Sequence, residues 1–364
     1  MKILIVQDYL RSGGTERQSV LLAHAFGEAG HATTLLTFRP GGALSSGVSS
    51  QVTRICLQPF DCGLDWFAPG LTAVARAAAF DLILCMGRMA NCYAGRIQRA
   101  CPTSTVIATM RTGKTLPALF RASLQAVRHI IANSHEARAT LSGRYSISKD
   151  KISVIHNSLV FPAVAAPGSA AALRAQHGAT ATTKILLNVA MFRPEKNQRE
   201  LIYLAASLPA STDWQLWLAG EGLARAGCEQ LAAELGLTER VRFLGFLRDP
   251  APLYAAADIA VHASASESLS NFLIEAQAHG LPAVAYAAQG IGECFIPGRT
   301  GWVIARDDRA AFHAALAPLF ELSDSARAEL ATAARGYAHT TFDPARQVTA
   351  YLELFARLHP RAQP

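Results

Sequence analysis

The chain has 364 residues, of which 51% are apolar and 17% charged, and its formal net charge is +7. That length suits two domains rather than one, and no apolar run approaches the ~20 residues of a membrane-spanning helix. The opening MKILIVQ is interrupted too soon, by Asp8 and Arg11, for a secretory segment, and it reads as a buried strand.

The charge is unevenly spread. Residues 1–165 carry 17 Lys and Arg against 8 Asp and Glu, whereas residues 166–364 carry 17 against 19. A basic first half points to an anionic surface or substrate near it; arginines solvating an alanine-rich surface are the plainer account. No basic–aromatic interleaving or recognised motif supports nucleic-acid binding. The cysteines at 56, 62, 85, 92, 101, 228 and 294 are odd in number and lack zinc-site spacing. Buried free thiols in a reducing, cytoplasmic compartment are expected.

In chain order, Lys2–Gln7 predicts a strand, and 16–30 predicts a helix with Val20, Leu21, Leu22 and Ala25 inward. Further strands are expected at 32–38, 81–86, 104–110 and 129–132. At 161–178 the texture turns to Pro, Ala, Gly and Ser, as in an interdomain linker followed by a loose helix. The alternation then restarts, with strands at 184–192, 214–219, 241–244 and 258–263 and helices at 198–208 and 223–235. Short apolar runs separated by helices of about 10–15 residues predict parallel sheets with crossover helices. The fold class is therefore α/β, with two doubly wound halves.

The most informative stretch is DIAVHASASESLSNFLIEAQAHGLPAVAY, residues 258–286. It reads as strand, polar loop, helix 271–279 stopped by Gly280 and Pro282, then strand. The helix thus starts at the carboxyl end of a strand, where open α/β sheets bind ligands. Its first N–H groups, at Ser268 to Phe272, suit a diphosphate. Glu267 before the helix and Glu275 within it suit sugar hydroxyls, which need acceptors at fixed spacing. On spacing alone, a plain surface helix with a dipole-favouring Glu267 accounts for them as well.

Glu267–x7–Glu275, followed by Ala276, Gly280, Pro282 and Val284, resembles the signature of the retaining GT4 (group 1) glycosyltransferases. Segments in matching order cover nearly the whole chain: Ser12–Glu16, Asn133–Ser134, Val154–Asn157, Pro194–Lys196, Leu218–Gly222, Val241–Gly245, Gly290–x–x–Glu293 and Gly298–x–x–Gly301. The resemblance implies a GT-B fold, two Rossmann-like domains facing a central cleft. The implied domains are an acceptor-side domain at 1–165, a nucleotide-sugar domain at 166–340, and a final helix at 341–364 crossing back to the first. It further implies that Glu267 contacts the donor sugar and Glu275 the ribose. Backbone N–H groups at Ser270, Asn271, Phe272 and Leu273 would hold sugar and diphosphate, and Lys196 would neutralise the leaving phosphate. The base would lie near 243–247, with Gly245 and Phe246, and Gly13 and Gly14 would let backbone approach donor and acceptor.

Two departures stand out. Family members carry an Arg five positions before the loop lysine; here that position is Met191, and Arg193 would have to supply the charge. Where many relatives have a His on the acceptor side, this chain has Arg111, which with Arg17 is a candidate acceptor-side cation.

The reading is a retaining glycosyltransferase that moves a hexose-type sugar from a UDP-sugar to a glycan or lipid-linked glycan, in cell-surface polysaccharide or lipopolysaccharide-type synthesis. No metal or other cofactor is expected, since no Asp-x-Asp pair or ligand cluster is evident. Lys114, Arg121 and Arg128, at seven-residue intervals beside Leu116, Leu119, Phe120, Leu124 and Val127, suggest a helix lying on an anionic membrane; a core-packed helix with a solvated rim is the alternative. Helical period at 342–358 puts Val348, Tyr351, Leu352 and Phe355 on one face. The rival functions are a nucleotide-sugar 2-epimerase of the same fold and a sugar-nucleotide-binding paralogue weakened at Met191.

Overall fold

A computed structural model describes residues 1–159, 165–166, 168–209 and 211–359. The chain divides into two compact units, Met1–Ser158 with Pro344–Pro364, and Leu159–Asp343. The linker expected to start at 161 falls in part outside the described residues; within them, Ser169–Gln176 is helical.

The first unit holds strands β1 (Lys2–Gln7), β2 (Ala32–Thr37), β3 (Thr53–Cys56), β4 (Leu82–Cys85), β5 (Thr105–Met110), β6 (His129–Ala132) and β7 (Ile152–Val154). They form one parallel sheet in the order β3-β2-β1-β4-β5-β6-β7. Helices cover both faces, which is why the inner strands are continuously apolar. Alternate β1 residues serve opposite faces: Leu4 and Val6 join one core cluster, Ile3 and Ile5 the other.

The second unit holds β8 (Lys184–Val189), β9 (Trp214–Ala219), β10 (Val241–Gly245), β11 (Ile259–His262), β12 (Ala283–Tyr286) and β13 (Gly301–Ile304). Its parallel sheet runs β10-β9-β8-β11-β12-β13. Strand order reverses between β1 and β4 in the first unit and between β8 and β11 in the second. Such switch points open a crevice at the carboxyl ends of the strands.

Several expectations need correction. The inward face of the first helix, Gly14–Glu28, is Gln18, Ser19, Leu22, Ala23 and Phe26; Val20, Leu21 and Ala25 are half-buried. On the final helix, Pro344–Leu358, the buried residues are Gln347, Tyr351, Leu354 and Phe355. In both, the sheet selects a stripe turned by about one residue from the one the apolar pattern suggests. Lys114, Arg121 and Arg128 do not share a helix, because that helix spans only Ala118–Ala126. Arg128 instead donates to the Pro102 carbonyl. Cys56 is exposed and Cys62 and Cys92 half-buried, so only Cys85, Cys101, Cys228 and Cys294 are buried thiols. Among the described residues, no helix is long and apolar enough to cross a membrane.

Candidate active site

Beside the second-unit switch point, the carboxyl ends of β8, β9 and β10 are tied together. Ala190 N–H donates to the Ala219 carbonyl at 2.9 Å, Gly220 N–H to Gly245 at 2.7 Å, and Phe192 N–H to Glu221 at 2.9 Å. At Gly220, φ is +138°, and a Cβ would come within 2.0 Å of the Ala190 carbonyl oxygen. Only glycine lets these two loops meet. The loop after β8 is also tied to the loop after β11, since Ala265 N–H donates to the Glu195 carbonyl at 2.8 Å.

These ties set Lys196, after β8, against Glu267, after β11. The Lys196 ammonium donates to Glu267 Oε1 at 2.5 Å, and His262 Nε2 lies 3.1 Å from the same oxygen. Only 10% of the Glu267 side chain is exposed, and 2% of His262. Burial would push the Glu267 carboxyl up; the Lys196 ammonium and the His262 hydrogen bond outweigh it and hold it down at about 2. Glu267 is therefore an anion at neutral pH. An ionised carboxylate only accepts, so His262 carries its proton on Nε2. Its Nδ1 is buried without a hydrogen-bond partner among the described residues, and its ring stacks on Phe272, with centroids 6.4 Å apart.

Helix Asn271–Ala278 follows immediately. Ser270 is its N-cap, with the hydroxyl accepting from Leu273 N–H at 3.5 Å. Ser268, Ser270, Phe272 and Leu273 are buried and Asn271 half-buried. Glu275, one turn in, accepts from the Tyr254 hydroxyl at 2.5 Å, and Tyr254 stacks on His279 at 4.8 Å. The loops after β8 and β11 and the helix that follows thus hold two carboxylates, a lysine and the positive end of a helix dipole. Such a set can accept hydrogen bonds from hydroxyls and receive phosphate oxygens.

The remaining candidates are placed as follows. Arg193 is exposed, and the Met191 carbonyl accepts from Gln198 Nε2 at 3.1 Å. Gly245 pairs with Gly220 as described, and Phe246 beside it is 48% exposed. In the first unit, Gly13 is an N-cap with φ −75°, a conformation open to any residue. A Cβ there would meet the carboxylate at the end of the flexible Glu16 side chain, at 2.5 Å. Gly14 starts that helix and Arg17 is half-buried on its first turn. Arg111 is a strut: it donates to Asn157 and, at 2.7 Å, to the Tyr351 hydroxyl, and its Nε is buried without a hydrogen-bond partner among the described residues.

Sequence reasoning missed three polar residues. His262 carried a signal, as the one imidazole ending an otherwise apolar strand five positions before Glu267. Tyr254, 21 positions before Glu275, carried none. Asp8, at the end of β1, accepts from Met89 N–H at 2.9 Å and Ala90 N–H at 2.6 Å, at the start of helix Arg88–Ala100. Burial pushes its carboxyl up to about 7, against the pull of those two N–H groups.

Comparison with known proteins decides the family. Residues 169–337 match the Glycosyl transferases group 1 family and residues 12–159 match Glycosyltransferase Family 4. The chain belongs to the group 1 (GT4) glycosyltransferases. Among its relatives, the lipopolysaccharide core biosynthesis glycosyltransferase LpsE of Rhizobium meliloti is 31% identical over 50% of this chain and 53% of its own length. A D-inositol 3-phosphate glycosyltransferase of Mycolicibacterium paratuberculosis is 33% identical over 59% of this chain and 49% of its own. The matches thus span about half the length of these relatives. Anabaena Alr3699/HepE, solved with UDP-glucose, has the same fold: TM-score 0.83 and 22% identity, covering 98% of this chain and all of the other. This group 1 glycosyltransferase therefore has the GT-B architecture of two Rossmann-like domains. Nothing in these relatives favours the epimerase reading.

Proposed function

We propose that this chain is a retaining, metal-independent glycosyltransferase moving a hexose-type sugar from a UDP-sugar to a glycan or lipid-linked glycan, in cell-surface polysaccharide or lipopolysaccharide-type synthesis. The observation that carries this reading is Glu267, a buried anion fixed by Lys196 and His262 at the switch point, beside the N-terminus of helix Asn271–Ala278. The names of the relatives supply the polysaccharide and lipopolysaccharide context, and the fold relative solved with UDP-glucose supplies the donor class.

In this reading Glu267 accepts hydroxyls of the donor sugar, and Glu275, held by Tyr254, accepts those of the ribose. Backbone N–H groups from Ser270 to Leu273 receive the diphosphate. Lys196 has three N–H donors, so it keeps Glu267 and still meets the phosphate charge that grows as the nucleotide leaves. Arg193 adds long-range charge from the surface. The leaving phosphate takes the acceptor's proton on the same face, and the protein contributes positioning and charge. Gly245 and Phe246 border the base, and Gly13 and Gly14 the sugar. Arg17 is the acceptor-side cation, and Arg111 serves that side through Asn157 and Tyr351. Peripheral contact with an anionic membrane, on its cytoplasmic face, suits a lipid-linked acceptor.

A thermal-shift screen of nucleotide sugars, followed by turnover against glycan and lipid-linked acceptors, tests this. A UDP-sugar is expected to raise the melting temperature, transfer is expected to retain anomeric configuration, and EDTA is expected to leave the rate unchanged. Abolition by EDTA overturns the metal-independent mechanism. Binding without turnover identifies a paralogue weakened at Met191.

A further inference from the structure

A surface of the first unit, separate from the Glu267 site, joins exposed aromatic rings to a stripe of arginines. Residues 59–68 form the loop after β3. Phe60 is 69% exposed, Trp66 56%, Leu64 40% and Phe67 39%. A cluster of large apolar side chains left in water marks an interaction site more often than an accident.

The loop is held firmly in that form. The Arg39 guanidinium grips Asp61 and Asp65, each at 2.7 Å, and Arg11 takes Asp65 at 2.7 Å. Arg39 also lies over the Tyr9 ring, 4.1 Å from its centroid. Gln58 Nε2 donates to the Leu64 and Phe67 carbonyls at 2.9 and 2.7 Å. Two arginines and two aspartates cancel, so the clamp leaves the loop without net charge while fixing its rings outward.

The Tyr93 hydroxyl donates to the Trp66 carbonyl at 2.6 Å, which seats the loop against helix Arg88–Ala100. On that helix Arg88, Cys92, Arg96 and Arg99 recur at intervals of four, four and three, so they share one stripe. All three arginines are exposed, and the helix has no acidic residue.

We propose that this loop and arginine stripe are the docking face for an anionic phospholipid bilayer. Phe60, Leu64, Trp66 and Phe67 enter the boundary between headgroups and acyl chains, where amphipathic aromatic rings are favoured. Arg88, Arg96 and Arg99 meet lipid phosphates from the adjoining helix. Their uniform sign favours a bilayer over a protein partner, whose surface would mix charges. The proposal rests on the membrane contact of the proposed function and gives it a place, but the face shares no residue with the Glu267 site, so loss of flotation with sugar transfer intact overturns this face alone.

Flotation of the full chain with vesicles of phosphatidylglycerol and phosphatidylcholine, and with phosphatidylcholine alone, tests the proposal. The chain is expected to float with the anionic vesicles only. Phe60→Ser with Trp66→Ser, or Arg96→Gln with Arg99→Gln, is expected to weaken binding roughly tenfold or more, with thermal melts confirming that these exposed changes leave the fold intact. The tryptophan emission of the wild type is expected to shift to the blue on binding, and Trp66→Phe to remove the shift while still floating. Absence of flotation at low salt, equal flotation of the variants, or equal binding to neutral vesicles overturns the proposal. So does loss of flotation through Leu119→Ser with Arg121→Gln alone, which would place the contact on helix Ala118–Ala126. Dissociation of a dimer by the loop substitutions overturns it too, by making the face a contact between copies.

Discussion

At the residue scale, environment and not residue type separates the carboxylates. Asp258 and Glu267 are nine positions apart at opposite ends of β11. Asp258, at the amino end, is taken by Arg174 at 3.2 Å and Arg327 at 3.0 Å, a purely structural pairing. Glu267, at the carboxyl end, is paired on one oxygen with Lys196 and His262. Replacing Lys196 with Met leaves the buried Glu267 carboxylate with the His262 hydrogen bond alone and without its cation. Steady-state kinetics are expected to show kcat lower by about 10²–10³, the cost of one charged donor in a preorganised site. The Glu267 carboxyl is lower in the folded chain than its ordinary 4.5, so its contribution to stability is complete above that value. It is lost as pH falls towards about 2. Urea unfolding at pH 5 and pH 3.5 is expected to show the wild type losing more stability on acidification than Glu267→Gln. Asp8 has the opposite sign. Its carboxyl is raised from 3.8 to about 7, so the folded chain holds a proton that the unfolded chain has released. Stability therefore falls as pH rises across that window, and Asp8→Asn is expected to flatten the slope between pH 5 and 8.

At the element scale, the start of helix Asn271–Ala278 and the close-packed strand ends do the positioning. Ser270→Ala removes the N-cap hydroxyl, and chemical denaturation is expected to register about 1 kcal/mol. Donor affinity is expected to fall with it, since the same turn receives the diphosphate in the proposed function. Gly220→Ala forces a Cβ against the Ala190 carbonyl oxygen at a positive φ. Its cost is about 1–3 kcal/mol of backbone strain or more, and a lowered melting temperature with weakened donor binding is the expected pair of readouts. The sequence made the glycine loop visible, but it did not show that Gly220 fits against the residues next to Met191. That contact joins segments about 30 positions apart, and no local pattern encodes it.

At the scale of the whole molecule, the last helix belongs with the first unit. Phe355 is fully buried, with ring centroids 5.3 Å from Phe26 and 5.8 Å from Tyr351. Gln347 donates to the His156 carbonyl at 2.7 Å and to Gln18 at 2.8 Å. Phe355→Ala is expected to cost the first unit about 3–5 kcal/mol. In a urea titration of the full chain, the transition assigned to that unit should move while the other stays in place, because the second unit has its own two core clusters.

Most of the sheet architecture was legible in the sequence, because strands buried on both faces must be continuously apolar and crossover helices must separate them. β6 and β9 fall on the predicted residues. The short edge strands β3, β7 and β13 were missed: with four, three and four residues, half exposed, they carry little period to read. Glu267 and Glu275 could be singled out as candidates, since a strand end followed by a helix start is a local pattern, but only the family resemblance raised them above a plain surface helix and added Lys196. The partners that give them chemistry could not. His262 fixes the protonation of the Glu267 network, Tyr254 holds Glu275, and Arg111 braces Asn157 and Tyr351 within the first unit. Each of these depends on where a side chain points once distant segments pack together, and only the tertiary structure decides that.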